Sequence, residues 1–323
     1  MPLIACCTNG SESAYLFLAG LTLIFIVMKG RKDILFLPLC IDIHHPFMKA
    51  LFIGKNCIEV EKTDSTNSYL AILATGGPIS FHLLPLSGGE GKGVFDGTVV
   101  ITKRQEQGKG QRDNRWESEP GKNLTLSILL KPTFLRTDEQ FQLNKAVSLG
   151  VAEFVLAVFF PFEGGKGDVR IKWPNDIYIG NKKIAGILIE NSVSGNTLQQ
   201  SIVGIGINVN QEKFSAELPN PTSLKLVSGK EFDLKECLEE LCSCIEKRYL
   251  QLRPPSGILP KEEGGIDSDY LKSLYRFGEP ANYKYKGQAL NAKITGVTKV
   301  GKLMIETEKG KMLECDFKEV MFC

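Results

Sequence analysis

The sequence predicts an α+β protein: a mixed central sheet flanked by helices, followed by a small β-rich domain at the C-terminal end. Three observations carry this reading. Ile177-Tyr178-Ile179 alternates like a strand, Gly180-Asn181 reads as a tight turn, and a second apolar run follows from Ile184 to Ile189, so the segment is a β-hairpin. Glu139 to Phe160 repeats apolar residues at helical spacing (Phe141, Leu143, Ala146, Val147, Leu149, Phe154, Val155), as a helix lying on a sheet would. Phe277 to Cys323 is short, rich in β-formers and punctuated by Gly287, Gly296, Gly301 and Gly310, which suits a small barrel.

The remaining elements fit this frame in order. Ile58 to Glu61 reads as a first strand. Asp64 to Ala74 reads as a helix, because Asp64-Ser65-Thr66-Asn67 supplies capping side chains just before the apolar-periodic Tyr69, Leu70, Ile72 and Leu73. Ile79 to Gly97 is Gly-rich and irregular, a surface loop. Thr98 to Thr102 and Leu124 to Leu130 read as strands. Gly164-Gly165-Lys166-Gly167 stops the long helix. Gly204-Ile205-Gly206-Ile207-Asn208-Val209-Asn210 alternates small and apolar residues, as in a buried strand with close backbone packing. Leu234 to Leu252 forms a second long helix with Leu238, Leu241, Ile245 and Tyr249 on one face. Arg253 to Asp269 holds three prolines and four acidic residues and reads as a linker before Tyr270 to Tyr275. Lys293 to Val297, Leu303 to Glu306 and Met312 to Phe317 are strands of the small barrel. The expected division is 1–47, 48–276 and 277–323.

Composition narrows the function. The 323 residues are enough for two domains and a sizeable core. A net charge of +2 gives no strong field for nucleic acid or a membrane surface, so neither is expected as a partner. The nine cysteines form no Cys-x-x-Cys pair and there are only three histidines, which argues against a zinc site and for free thiols in a reducing, cytoplasmic setting. His44, His45 and His82 lie outside every motif, so no Ser-His-Asp or Cys-His nucleophile system is supported. Ala14 to Met28 is almost continuously apolar and is followed by Lys29, Arg31 and Lys32. It is short for a membrane span of about 20 residues, and its charges lie on the wrong side for a secretory signal. An N-terminal anchor stays open, but the preferred expectation is that residues 1–47 are not part of the functional protein and that Met48 is the natural start.

Two segments concentrate ligand-binding chemistry. Lys172-Trp173-Pro174-Asn175-Asp176, with Lys183-Ile184-Ala185-Gly186 after the turn, places cations at the rims of a flat apolar wall. That suits a small anionic ligand beside a nucleotide; the plainer alternative is a surface hairpin with solvated lysines. Upstream, Gln105-Glu106-Gln107-Gly108-Lys109-Gly110-Gln111-Arg112-Asp113-Asn114-Arg115-Trp116 has two glycines that allow close backbone approach and an anion-binding nest. It adds three cations and an indole face for an aromatic ring. The Gly-Lys-Ser/Thr of a P-loop is missing.

Together and in this order, Asp-Ser-Thr-Asn, Gln-x-x-Gly-x-Gly-x-Arg with its Trp, Lys-Trp-Pro-Asn-Asp, Lys-Ile-Ala-Gly and Gly-Ile-Gly-Ile-Asn resemble the biotin protein ligases, over roughly residues 58 to 323. The resemblance implies a class II aminoacyl-tRNA-synthetase-like catalytic domain and an SH3-like C-terminal domain, which either stabilises by packing or helps close the ATP site or dock the carrier protein. It implies biotin and ATP as substrates with Mg²⁺, biotinyl-5′-adenylate as intermediate, and a biotin carboxyl carrier domain, of acetyl-CoA carboxylase or a related carboxylase, as acceptor. It further implies that Ser65, Thr66 and Gln105 line the biotin pocket, that the loop with Gly108, Lys109 and Gly110 closes over it, and that Gly186 meets biotin through its backbone. Lys183, Arg112 and Arg115 are the implied catalytic cations. Trp116, Asn175, Asp176 and Asn208 are placed around the nucleotide, Asp176 also at the metal; Lys172 either joins them or braces Asp176. Nothing resembles a helix-turn-helix, so a monofunctional ligase is expected, and a homodimer stays open because the family contains monomers and dimers. Lipoate–protein ligases share the chemistry, but their Arg-x-x-Gly-Gly-Gly loop is absent; a non-catalytic biotin or nucleotide sensor is the other alternative.

The chain departs from the usual Gly-Arg-Gly-Arg/Gln-Arg-Gly loop. Lys109 stands for the first arginine, keeping charge without the bidentate fork, Gln111 takes the next cationic position, and Asp113 replaces a glycine. Asp113 adds a negative charge beside a phosphate site. Asp113→Gly is therefore expected to slow release of the acyl-adenylate; stopped-flow release that is unchanged or faster would contradict this.

Overall fold

The computed structural model describes residues 50–77, 93–111, 114–159, 168–253 and 265–323, together with the backbone of four strands nearer the N-terminus. The chain divides into two units, Met1–Met48 and Lys49–Cys323. The first unit contains an antiparallel sheet of β1 (Ile4–Ala5), β2 (Glu12–Ala19), β3 (Thr22–Lys29) and β4 (Asp33–Leu37). The apolar run at 14–28 thus falls in two strands, not a spanning helix, in keeping with the Tyr, Phe, Ile and Val within it.

The second unit holds a seven-stranded mixed sheet. Its strands are β5 (Cys57–Thr63), β6 (Val99–Gln105), β7 (Leu124–Leu130), β8 (Val169–Lys172), β9 (Asp176–Ile179), β10 (Lys182–Ser194) and β11 (Thr197–Ile207). They lie in the order β5-β6-β7-β11-β10-β9-β8, with β5 and β6 parallel and the other neighbours antiparallel. The predicted hairpin is β9–β10, its turn at Gly180, where φ is +55°. β8 and the long outer part of β10 are additions to the sequence reading: β8 is only four residues and carries two charges, so its alternation was too short to register.

The two faces of this sheet are covered differently. Leu124, Leu126, Ile128 and Leu130 of β7 join Val203, Ile205 and Ile207 of β11 in the main core. Helices α2 (Gln140–Phe159) and α4 (Leu234–Leu250) complete it. Among the described residues, Thr137–Phe159 alone is long and apolar enough to cross a membrane, and it is largely buried in this core. The opposite face carries α1 (Thr66–Ala74), whose Tyr69 and Leu70 meet Ile58, Val60, Val100, Leu129 and Ile202 in a smaller cluster. Helix α3 (Leu224–Ser228) is a short turn after β11.

Residues 253–269, read as a linker, contain the start of α5 (Ile266–Ser273); residues 254–264, including all three prolines, lie outside the described residues. Helix α5 is held by Asp267 to the buried Lys145 at 2.6 Å and by Asp269 to Arg248 at 2.7 Å. Arg248 also pairs with Glu153, so α2, α4 and α5 are tied at one point. Of the predicted loop at 79–97, residues 79–92 lie outside the described residues, and 93–97 are irregular as expected. The Gly164–Gly167 helix stop also lies outside the described residues.

The C-terminal segment forms a five-stranded antiparallel sheet: β12 (Pro280–Tyr285), β13 (Gln288–Val297), β14 (Leu303–Thr307), β15 (Met312–Cys315) and β16 (Val320–Phe322), ordered β15-β14-β13-β12-β16. It packs into the same unit as the large sheet. Trp173 donates its Nε1–H to Gly301 O at 3.0 Å, and a Cβ on Gly301 would lie 2.4 Å from Phe141, so glycine is required there. The φ of +93° at Gly301 reinforces the requirement.

One buried carboxylate fixes the start of this unit. Glu246 of α4 accepts hydrogen bonds from the backbone N–H groups of Leu51, Phe52 (2.8 Å) and Ile53 (2.9 Å). Glu246→Ala leaves those donors without their acceptor and is expected to destabilise the protein by about 3 kcal/mol. Urea unfolding checks this; a loss below about 1 kcal/mol would mean that water replaces the carboxylate.

Candidate active site

The face of the large sheet that carries α1 is bare at its centre, and the register shows why. Gly186 of β10 pairs with Gly206 of β11, which pairs with Thr125 of β7; one step along, Leu188 pairs with Gly204, which pairs with Ser127. Three of these six positions are glycine, so the floor is nearly flat. A Cβ on Gly206 would lie 2.2 Å from the Trp116 indole, one on Gly186 would lie 3.1 Å from the same ring, and one on Gly204 would lie 2.3 Å from Asn67 Oδ1. Trp116 and Asn67 therefore rest directly on the sheet backbone.

Trp116 reaches the floor from a small hairpin. Trp116 N–H donates to Gly108 O at 2.9 Å, Gly110 N–H donates to Asn114 O at 2.7 Å, and Lys109 pairs with Arg115. The Gly110 and Trp116 amides are used inside the hairpin, so neither is available to the anion-binding nest expected of this loop. Gly108 keeps its second reason to be glycine, since a Cβ would meet Trp116 O at 2.2 Å and Gln105 Nε2 at 2.6 Å. Arg112 and Asp113 lie outside the described residues. Gln111 donates from Nε2 to the buried Asn175 Oδ1 at 2.8 Å, tying the loop to the turn before β9.

The pocket between this hairpin, α1 and the floor is lined by Ser65, Thr66, Gln105, Lys109, Gly110, Arg115, Trp116, Asp176, Lys183 and Gly186 among others. Ten predicted site residues thus come together. At one end, Gln105 Oε1 accepts from Thr66 N–H at 2.9 Å and lies 3.3 Å from the Thr66 hydroxyl. At the other, Lys183 Nζ is 2.8 Å from Asp176 Oδ1 and 6.0 Å from the centre of the Trp116 ring. Both partners of this ion pair are partly exposed, so it orients the lysine more than it stabilises the fold.

Besides Gly108 in the hairpin, three predicted residues among those described stand outside the lining. Lys172 is turned to an aromatic cluster, its Nζ 5.0 Å from the Tyr178 ring centre and 5.1 Å from that of Phe322. Burial lowers its pKa, the charges of Lys183 and Arg276 push the same way, and Asp176 opposes them. Asn175 is buried against Gln111. Asn208 is buried, donates to Thr222 O at 2.9 Å, and keeps an Oδ1 with no partner among the described residues.

The sequence reading missed Asn67, Gln111, Thr125, Ser127, Gly204, Gly206 and Phe317. Gly204 and Gly206 carried a signal: at a strand period of two they share a face, and two glycines on one face mark a place where something approaches the backbone. Phe317 comes from the turn between β15 and β16, lines the pocket, and its ring centre stands 5.7 Å from that of Trp173, a contact no local pattern could show. Pro174 O, next to Asn175, accepts from Tyr270 of α5 at 2.6 Å, so that helix also steadies the site.

Comparison with known proteins agrees with this geometry. The Biotin/lipoate A/B protein ligase family matches residues 92–208. The "Bifunctional ligase/repressor BirA" of Bacillus spizizenii is 33% identical over 224 residues, 67% of this chain and 63% of that protein. The chain carries a Biotin/lipoate A/B protein ligase domain. It spans 63% of the length of that Bacillus member. The "Biotin--[acetyl-CoA-carboxylase] ligase" of Paracoccus denitrificans is 27% identical over 261 residues, covering 78% of this chain and 95% of that ligase. Among solved members of the family, the biotin protein ligase from Aquifex aeolicus in complex with biotin and ATP superposes with a TM-score of 0.60 at 26% identity, over 83% of this chain and 99% of the other.

Gly206→Ala tests the floor. A Cβ there overlaps the indole, so Trp116 must lift. Acrylamide quenching of tryptophan fluorescence is expected to increase, with buried Trp173 as the constant background. Unchanged quenching would show that the ring does not lie on the glycine.

Proposed function

We propose that the chain is an ATP-dependent biotin protein ligase. One observation carries this: a single pocket holds a neutral hydrogen-bonding cradle, Thr66–Gln105, and a carboxylate-binding lysine, Lys183, joined by a flat floor of Gly186, Gly204 and Gly206. Such a pocket fits an elongated ligand with a cyclic urea at one end and a carboxylate at the other. The family likeness and the names of the Paracoccus and Aquifex relatives support the same substrate pair.

The reaction follows from these positions. An oxygen of the biotin carboxylate attacks the α-phosphorus of ATP; the bond to the β-phosphate oxygen breaks, and pyrophosphate leaves. A neutral lysine amine of a biotin carboxyl carrier domain then attacks the acyl carbon, forming an amide as AMP departs and the amine loses a proton. Lys183 holds the carboxylate oxygen and stabilises charge as it shifts to the phosphate. Asp176 orients Lys183 by their ion pair. Arg112 and Arg115 supply cations to the phosphate from the loop, and the Gln111–Asn175 bond holds that loop down. Trp116 walls the junction between the biotin carboxylate and the nucleotide, and Asn175 and Asn208 shape the turn beneath it. Lys172 acts at longer range, by its charge near Asp176.

Magnesium enters with ATP. Among the described residues there is no cluster of three or more His, Cys, Asp or Glu for a resident ion, but one carboxylate beside nucleotide phosphates is a donor set magnesium accepts. Asp176 would hold it, and the ion would supply neutralisation of phosphate charge. We read the C-terminal sheet as the SH3-like domain, with Phe317 as its contribution to closing the site. Among the described residues Cys237, Cys242, Cys244, Cys315 and Cys323 form no disulfide, which fits a reducing, cytoplasmic setting.

ATP–pyrophosphate exchange tests the assignment. Exchange is expected with biotin and not with lipoate or without either acid; exchange with lipoate would move the activity to the sister branch of the family. Biotin binding without exchange would leave a sensor. Lys183→Ala is expected to lower kcat of the exchange by roughly 100-fold while changing the KM for ATP little, because its interaction strengthens as charge develops. An equal change in both would assign Lys183 to ground-state binding.

A further inference from the structure

We propose that Glu190, which lies outside the pocket, sets the donor–acceptor polarity with which the pocket reads the urea ring of its substrate. The inference rests on the biotin reading above and adds a positioning residue to it. Glu190 is exposed at the outer side of β10, in a groove lined also by Asn67, Ala71, Lys109 and Ile202. A chain of hydrogen bonds runs from it to the pocket wall.

The chain has one direction, and each link forces the next. The Glu190 carboxylate accepts only, and Asn67 Nδ2 donates to its Oε2 at 2.6 Å and to Leu188 O at 3.5 Å. Asn67 Oδ1 must then face inward, where it meets Ser127 Oγ at 2.6 Å. An amide oxygen only accepts, so the single Ser127 proton goes to Asn67. Ser127 Oγ also lies 2.7 Å from Thr66 Oγ1, closer than Gln105 Oε1 at 3.3 Å, so with its own proton committed Ser127 is the stronger acceptor for the Thr66 proton. Thr66 Oγ1 is thereby left to face the pocket as an acceptor. At its other side, Gln105 Oε1 is engaged by the Thr66 backbone N–H, which only donates, so Gln105 Nε2 is the end left as a donor.

The pocket wall so fixed offers an acceptor and a donor side by side. A cyclic urea presents the complement, a ring N–H beside a carbonyl oxygen. Asn67 and Ser127 are 3% and 0% exposed, so water does not compete along the relay, and a mismatched polarity there leaves a buried group unpaired. Ser127 does not line the pocket; it transmits. A cation at position 190 would reverse every link. Lysine only donates, so Asn67 would turn its oxygen outward and its NH₂ to Ser127, Ser127 would donate to Thr66, and the Thr66 proton would be free to turn into the pocket.

The test is calorimetric binding to the full chain of biotin and of the two cyclic carbamates in which one or the other ureido N–H is replaced by oxygen. Wild type, Glu190→Gln and Glu190→Lys are compared, with ATP binding measured in parallel. Wild type is expected to bind biotin and discriminate against at least one carbamate. Glu190→Lys should weaken biotin at least about tenfold and narrow or reverse its preference over that carbamate, with ATP affinity unchanged. Glu190→Gln, which can offer either an oxygen or an NH₂, should fall between, and decides the matter if the lysine variant does not fold. A biotin-to-carbamate ratio identical in all folded variants would overturn the relay, as would parallel loss of biotin and ATP binding, which a purely structural role would give. Wild-type protein that binds no biotin would overturn the substrate reading itself, and the relay with it.

Discussion

The site depends on one steric constraint: the central strands of the sheet carry no side chains where two others must land. Gly186 and Gly206 face each other across β10 and β11, and Gly204 follows one step along β11. Trp116 lies on the first pair and Asn67 on the third glycine, both at distances a Cβ would forbid. The glycines cost strand stability, since each adds backbone entropy to the unfolded chain and no side chain to the sheet. Here the loss is offset by burying an indole against the backbone and by packing the same strands' other face, Ile187, Val203, Ile205 and Ile207, into the main core. The strands thus divide their two faces between stability and ligand space.

A second layer of contacts holds the turn before β9, and it comes from distant parts of the chain. Trp173 is tied to the C-terminal sheet through Gly301 O, Pro174 O to α5 through Tyr270, and Asn175 to the loop hairpin through Gln111. Three consecutive residues therefore have three different partners. Asp176 comes next and meets Lys183. The geometry of the ion pair is set by packing on its N-terminal side, because the pair itself is too exposed to fix its own position.

How much of this was legible in the sequence follows from the range of each interaction. The hairpin β9–β10, the long helices α2 and α4 and most strands were legible because a period of two or 3.6 is a local property. The pocket residues Thr66, Gln105, Lys183 and Gly186 were legible only as a joint pattern, since each alone has an ordinary structural explanation. Asn67 was in view as part of the capping segment, yet its role depends on Gly204 and Glu190, more than 120 residues away, and spacing says nothing of that. Strand β8 and helix α5 were missed for a different reason. The first is short and charged, and the second begins within acidic residues that read as a linker until Asp267 and Asp269 are seen to meet Lys145 and Arg248.

The departures in the loop take on meaning against this frame. Where the family pattern admits arginine or glutamine, Gln111 supplies a neutral amide whose NH₂ is directed at Asn175. Three cations, Lys172, Lys183 and Arg276, already lie close enough that Lys183 and Arg276 add to burial in lowering the pKa of Lys172, while Asp176 pulls the other way. A further arginine at position 111 would add to that repulsion whenever no anion is bound. A glutamine holds the loop by a hydrogen bond that does not depend on a bound phosphate. The loop is therefore anchored at Gln111 with no ligand bound. In that arrangement preorganisation, and not charge, is what Gln111 contributes.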